Sequence, residues 1–502
     1  MSAPENHAAS REPLRLPPWV WCVAWALMLL GFLSAAYFGY DILAKKAFTE
    51  HVAELEAMGE TLDYEKLIPD SVPQPGDNFA EAPIIRHFRD GGSESGGGEE
   101  PAWLDLGEPS REAIAGMDIT ARQSKSVRHL TSRPIMDEFP GLTPEEAYRN
   151  TNDYIAPFAS VIDALGEAAR RPESFARIDF EKGFAAGNGS VGSLFDYTRL
   201  IRIRSQLALA TGDVEQAFSD TALILRLAPH LSSHSLLISQ LVANAYAGMG
   251  LSTCGTGLRQ DAWTGEQLQA FAEILSSYRV EEDYLHSIRL ERALFCHTVN
   301  EWSMRGSSVK SLLSAPVDEI SFLIPQGWLY TNSRKYSEII QENVLTHTDG
   351  RLAHERLPHP DRVERVIEDL RDSPVDSVHL CLTLAAFPTF DSISERILRT
   401  SVQVDHMRIA IALEQHRRRR GAFPDTLDAI ADSFPGDLPL DPCTEAPYRY
   451  RLLADGTYLL YGVGTNRIDE SGLLKYAFDQ GDWVWRLNLP ADFDYDDYRR
   501  SE

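Results

Sequence analysis

The chain has 502 residues, 43% hydrophobic and 24% charged, and a formal net charge of −26. That length accommodates roughly two to four domains, and the composition is that of a chain able to bury a core. The acidic balance excludes nucleic acid as a partner class, because phosphate binding needs a basic face.

Residues 1–18 form a short tail ending in Pro17 and Pro18, and the 22 residues from Trp19 to Tyr40 carry no charge. A bilayer core needs about 20 apolar residues in a helix, so residues 19–40 read as a transmembrane helix. Trp19, Trp21 and Trp25 lie toward one end and Tyr37 and Tyr40 at the other, as interfacial aromatics do. The competing reading is a cleaved signal peptide, with Ser34, Ala35 and Ala36 as the small-residue site. Arg11 and Arg15 before the segment balance Lys45 and Lys46 after it. The N-terminal amine tips the count toward a cytoplasmic N-terminus. The expectation is a single-pass inner-membrane protein with residues 41–502 outside the cytoplasm.

Residues 41–142 read as a stalk and a flexible region. Lys45 to Met58 continues the helix out of the membrane, Leu67 to Gly76 is a Pro-rich loop, and Phe79 to Phe88 suggests one more helix. A Gly-rich acidic linker follows at residues 91–100.

Residues 143–390 form a mainly α-helical body. Capping boxes mark helix starts at Thr143/Glu146, Asp213/Gln216 and Thr264/Gln267. Ser205 to Pro229 reads as a helical hairpin turning at Gly212 and Asp213. Its Ala208, Gly212, Asp213, Ala217 and Pro229 resemble positions of a tetratricopeptide repeat. Only one copy is present, and a repeat array needs about three units. An irregular α-domain with one TPR-like helix pair is therefore expected. Helices are also expected over Glu266–Leu275 and Tyr284–Trp302, and Pro325 to Tyr330 breaks the pattern with an aromatic cluster. Residues 191–420 loosely resemble uncharacterised envelope proteins of planctomycete and verrucomicrobial type.

Residues 391–490 read as a small α+β module and residues 491–502 as an acidic tail. Ser394 to Arg420 is a long helix with Val404, Met407 and Ile411 on one face. Arg417 to Arg420 crowd its last turn, where cations favour the helix dipole, and Gly421 stops it. Phe423 and Pro424 redirect the chain, Asp425 caps a short helix Thr426–Ile430, and Asp441–Pro442 turns. Tyr448, Tyr450 and Leu452 alternate with Arg449 and Arg451 as a half-buried strand, and Asp455–Gly456 turns into a return strand Tyr458–Val463. Leu474–Phe478 and Trp483–Leu487 suggest a further hairpin.

That order over about 90 residues resembles the globular domain of the major pseudopilin of type II secretion systems, a packing and assembly unit. The resemblance implies calcium in the loop after the return strand. Asn466, Asp469, Glu470 and Ser471 would be its ligands there, being hard oxygen donors. The chain departs from that family at the membrane: Gly31, Phe32, Leu33, Ser34 and Ala35 lie in mid-helix, with Ala where the family's processing site has Glu. A prepilin-peptidase substrate is therefore not expected.

Catalytic motifs are missing. There is no Gly-x-Ser-x-Gly, His-Glu-x-x-His, phosphate-binding loop or dinucleotide fingerprint, and Gly187–Gly192 lacks the preceding strand. His286 and His297 share a helical stretch, and His354 and His359 flank a loop, without a third ligand. Cys254, Cys296, Cys381 and Cys443 suit either two disulfides or four isolated thiols. The sequence thus points to a non-enzymatic, membrane-anchored, extracytoplasmic protein that binds other proteins, in association with secretion or pilus-like machinery. The rival readings are an envelope hydrolase with a site near Trp328, Tyr330 and Glu342, and a calcium-stabilised wall- or carbohydrate-binding protein.

Overall fold

A computed structural model describes residues 17–69, 71–90, 135–176, 191–233, 236–305, 325–345, 360–387, 390–434, 437–473 and 481–487. The linker 91–100, Leu474–Phe478, His354, His359 and the acidic tail lie outside these residues. The described chain is mainly helical, with one apolar N-terminal helix and a small antiparallel sheet at its C-terminal end.

Helix α1 (Pro18–Ala57) runs for 40 residues without a break. It is the one helix among the described residues long and apolar enough to cross a membrane. Its stop is local: Gly59 takes a positive φ of 81°, open to glycine at no steric cost, and Glu60 N–H donates to the Leu55 carbonyl at 2.9 Å. The segment beyond forms a 3-10 turn (Phe79–Glu81) and then α2 (Pro83–Asp90), so the single helix expected over 79–88 is divided. Pro83 enforces the division, because it disfavours helical geometry at Ala82.

The body follows as α3 (Pro144–Ile155), α4 (Ala159–Ala168), α5 (Val191–Thr211), α6 (Val214–Ser232), α7 (Leu237–Arg259), α8 (Gly265–Ser276) and α9 (Val280–Arg305). Thr143 and Thr264 both make full reciprocal capping boxes. Asp213 makes half of one, since its carboxylate accepts from Gln216 N–H at 3.2 Å while the Gln216 amide turns to Asp220 at 3.0 Å. The α5–α6 turn depends on Gly212, at φ 82°, and Tyr148 of α3 donates to Asp213 at 2.8 Å, tying α3 to it.

Next come α10 (Gln326–Ile340), a π-turn (Gln341–Leu345), α11 (Pro360–Asp372), α12 (Pro374–His379), α13 (Cys381–Ala386) and α14 (Phe390–Arg420). Pro325 is therefore a helix N-cap, and Trp328 and Tyr330 lie on α10. Arg417 and Arg418 do not project freely, since both reach Asp261 and Glu414 at 2.7–3.1 Å.

After α14, residues Leu427–Ser433 form a 3-10 helix whose cap is Thr426 without a side-chain bond, so Asp425 does not cap it. Strands β1 (Arg449–Leu452), β2 (Tyr458–Gly462) and β3 (Trp483–Arg486) pair antiparallel in that order, with Tyr450 opposite Leu460 and Leu460 opposite Trp485. Strand β1 is an edge, and Leu452 at its end is exposed rather than buried. Strand β2 is buried at every position. Tyr458 and Leu460 lie on the face shared with Trp485, while the loop after β2 closes over Leu459 and Tyr461.

One buried apolar cluster runs from Phe79 through α5–α9 and α14 to Trp485. Helix α14 packs on α7, α8, α9 and α11, so the core is continuous across residue 390. All five cysteines are free thiols, and burial pushes the Cys296 thiol up to about 12.

Candidate functional site

The most elaborate polar constellation joins α1 to the body. It forms because α1 continues in register beyond its apolar half and lies along α10. Asp41, the first charge after the apolar segment, accepts from Gly327 N–H at 2.6 Å. It thereby caps the start of α10, whose own N-cap, Pro325, has no side-chain acceptor to offer. Tyr40 O–H lies 3.0 Å from Thr331 Oγ1 and 3.2 Å from His379 Nε2. About two and three turns on, Phe48 meets the Tyr330 ring at 5.6 Å and His51 Nε2 lies 2.9 Å from Ser337 Oγ.

The clasp closes at Glu60. Arg289 donates to its carboxylate from Nε at 3.0 Å and Nη2 at 2.6 Å, and Arg292 donates at 2.7 Å. Arg292 is 0% exposed and also donates to Gln341 at the start of the π-turn. Burial would raise the Glu60 carboxyl, but the two guanidiniums outweigh it and hold it below its ordinary value. Burial, with Arg292 nearby, lowers the His51 imidazole below its ordinary value. This arrangement has the chemistry of a clamp: two pre-oriented forks on one carboxylate fix a register that a purely apolar contact would leave free to slide.

The residues singled out in the sequence fall elsewhere. In the loop after β2, Asn466 Nδ2 donates to Glu470 at 3.1 Å and Asn466 Oδ1 accepts from Ile468 N–H at 3.0 Å. Asp469 accepts from Tyr461 O–H at 3.0 Å and from Ser471 N–H at 2.8 Å, with Arg449 at 3.5 Å from its other oxygen. Asp482, not singled out in the sequence, staples this loop by accepting from Gly472 N–H at 2.6 Å and Glu470 N–H at 3.4 Å. The four residues thus sit together on one loop, where the oxygens of Asn466 and Asp469 and one oxygen of Glu470 are directed to partners within it and on β1 and β2. Among the described residues, no three His, Cys, Asp or Glu side chains are grouped to hold a metal ion.

Trp328, Tyr330 and Glu342 do not converge. The Trp328 indole donates to the His379 carbonyl at 2.5 Å, Tyr330 packs on α1, and Glu342 faces solvent on the π-turn. A cavity lies away from them, between α6, α7, α14 and the start of α9. It is lined by Ser232, Gln240, Asn244, Tyr278 and Thr400, and at about 10 Å3 it is the size of one water.

Sequence reasoning did not find Glu60, Arg289 or Arg292, whose pairing spans more than 200 residues. One local signal existed: Arg292 interrupts the apolar run Leu290, Ala293, Leu294, Phe295, where a charge needs a partner. Comparison with protein-family models, curated proteins and solved structures gives no match to this chain.

Proposed function

We propose that this chain is a single-pass, membrane-anchored protein of the cell envelope. Its extracytoplasmic body binds other proteins, and it carries no catalytic site. One observation supports the reading above others: a 40-residue helix whose apolar half is unpacked, whose polar half is held to the body by Asp41 and His51, and whose following turn is clamped there by Glu60. Burying a charge network to hold a body on a helix suits a scaffold that must present one face at a set height. The TPR-like pair α5–α6 and the pseudopilin-like order of residues 391–490 are interaction modules in this reading. Partners in secretion or pilus-like machinery, and residence in the inner membrane, belong to the same proposal. The use of Trp328 and Tyr330 in packing favours it over the hydrolase.

Alkaline extraction and protease protection test it together. The chain should stay with the membrane pellet at high pH, and residues beyond 41 should be digested when protease is added outside intact spheroplasts. Release at high pH, or a protected body, would overturn it. Site-specific photo-crosslinking over α5–α6 in native membranes should then give discrete adducts of higher mass. A crosslinker that captures none anywhere on the body would remove the interaction role.

A further inference from the structure

Helix α12 exposes two valines, Val375 and Val378, each 74% accessible. They are not on a loose loop. Ser373 caps the helix by accepting from Asp376 N–H at 3.3 Å. The other end is held by two bonds to the His379 carbonyl, one from the Trp328 indole and one from Asn332 at 3.0 Å. Six residues are thus pinned on α10 with an apolar pair facing outward, an arrangement that costs stability in water. Val375, Val378 and His379 fall at i, i+3 and i+4, which places them on one side of the helix.

That side adjoins the end of the membrane segment. His379 Nε2 is 3.2 Å from Tyr40 O–H, and the two rings are 6.0 Å apart. Trp19 to Tyr40 spans about 33 Å at 1.5 Å per residue, which matches a bilayer core of about 30 Å, so Tyr40 lies at its boundary. Helix α12 is therefore held at the same level. Lys45 and Lys46 of α1 leave the membrane just beyond, at the height of lipid phosphates. The flank of α12 carries Asp372 and Asp376, so attraction to anionic lipid cannot be what covers it. Its complement is the apolar edge of the bilayer.

We propose that α12 is a second, monotopic membrane contact, inserting Val375 and Val378 among the lipids beside the exit of α1. The inference rests on the membrane-anchor reading of α1. The two contacts together fix the tilt of the body, which a single helix in a fluid bilayer does not.

The test uses the full-length chain in nanodiscs, one copy per disc, with Cys22 and Cys381 replaced by Ala. An environment-sensitive fluorophore is attached in turn at Phe32→Cys, Val378→Cys and Glu266→Cys, the last being an exposed site on α8. Lipids carrying a nitroxide near the headgroup then quench whatever lies in the interface, and lipids carrying it deep in the chain report the core. Expected are loss of fluorescence at Phe32 with the deep quencher, loss at Val378 with the shallow one, and none at Glu266. Quenching at Phe32 without quenching at Val378 overturns the second contact and leaves the anchor. No quenching at Phe32 overturns the anchor itself. A blue-shifted but unquenched Val378 probe means protein covers the valines, and that also overturns the proposal.

Discussion

The body is held at two junctions, and they are built from opposite materials. At the sheet side the contact is aromatic. Trp485 is fully buried over Gly255 of α7, where an added Cβ would lie 2.8 Å from the ring. Arg259 covers its face at 4.4 Å, and Arg399 lies 4.8 Å over Trp483. At the stalk side the contact is ionic, with Glu60 between Arg289 and Arg292. Apolar contacts gain energy roughly with the area they cover and forgive small shifts. A buried ion pair gains little net energy but punishes any register other than its own. The sheet side is therefore built for adhesion and the stalk side for alignment.

The sharpest way to break the sheet junction is Trp485→Ala. Removing a fully buried Trp should cost about 3–5 kcal/mol, read as a fall in melting temperature with early proteolysis after Gly421. Because the core is continuous across residue 390, isolated residues 391–490 should not melt cooperatively. A sharp transition from that fragment would show that the sheet side is a separate domain.

The stalk junction should respond almost as strongly to Glu60→Gln, about 3 kcal/mol, because it leaves the fully buried Arg292 without its counter-charge. Its distinguishing signature is rescue: Glu60→Gln combined with Arg292→Met should recover most of the loss, as no apolar-area defect would. If the double variant is no better than the single one, the clasp is not acting as a charge pair.

A pH series separates the junctions further. Burial, with Glu281 nearby, pushes Asp405 up to about 7 beside Arg408 and Tyr448. Its folded pKa is above the unfolded one, so its contribution is complete below about 4 and is lost as pH rises through about 7. Asp405→Asn should flatten the fall in stability over that window by on the order of 2–4 kcal/mol. Glu291, pushed up to about 7, and Asp283, up to about 6, leave a residual slope of the same sign. His406 acts oppositely. Burial lowers it to about 3, so its contribution is complete above about 6.5 and is lost as pH falls toward 3. Glu60, held low by its arginines, also weakens the stalk junction only in acid.

The smallest effect belongs to neither junction. Thr143→Ala removes the reciprocal cap of α3 and should cost about 1 kcal/mol. A loss as large as that at Trp485 would mean that α3 does more than close one end of the body.

How far these features were readable depended on distance along the chain. Helix ends at Thr143, Gly212, Thr264 and Gly421 were legible because capping is decided within four residues. The α5–α6 hairpin and the β1–β2 hairpin were legible for the same reason. The burial of both faces of β2 was not, because the loop that covers it folds back through Asp482, twelve residues from Glu470. The clasp was least legible: periodicity marks which face of α1 or α9 is apolar, but not which distant carboxylate an inward Arg will meet. The loop with Asn466, Asp469, Glu470 and Ser471 was legible as a polar turn, whereas its bonding to Tyr461 and Arg449 depends on strand register.

The unbroken α1 has a mechanical consequence. A helix with no hinge between its apolar half and its clamped half is a stiff shaft, and each residue of it represents about 100° of rotation. Inserting one residue near Phe32 would leave every body contact intact yet turn the apolar half through more than a quarter of a revolution relative to the body. Any neighbour reading the apolar half of α1 would then meet the wrong side. In such a shaft, rotation and tilt of the apolar half pass to the body.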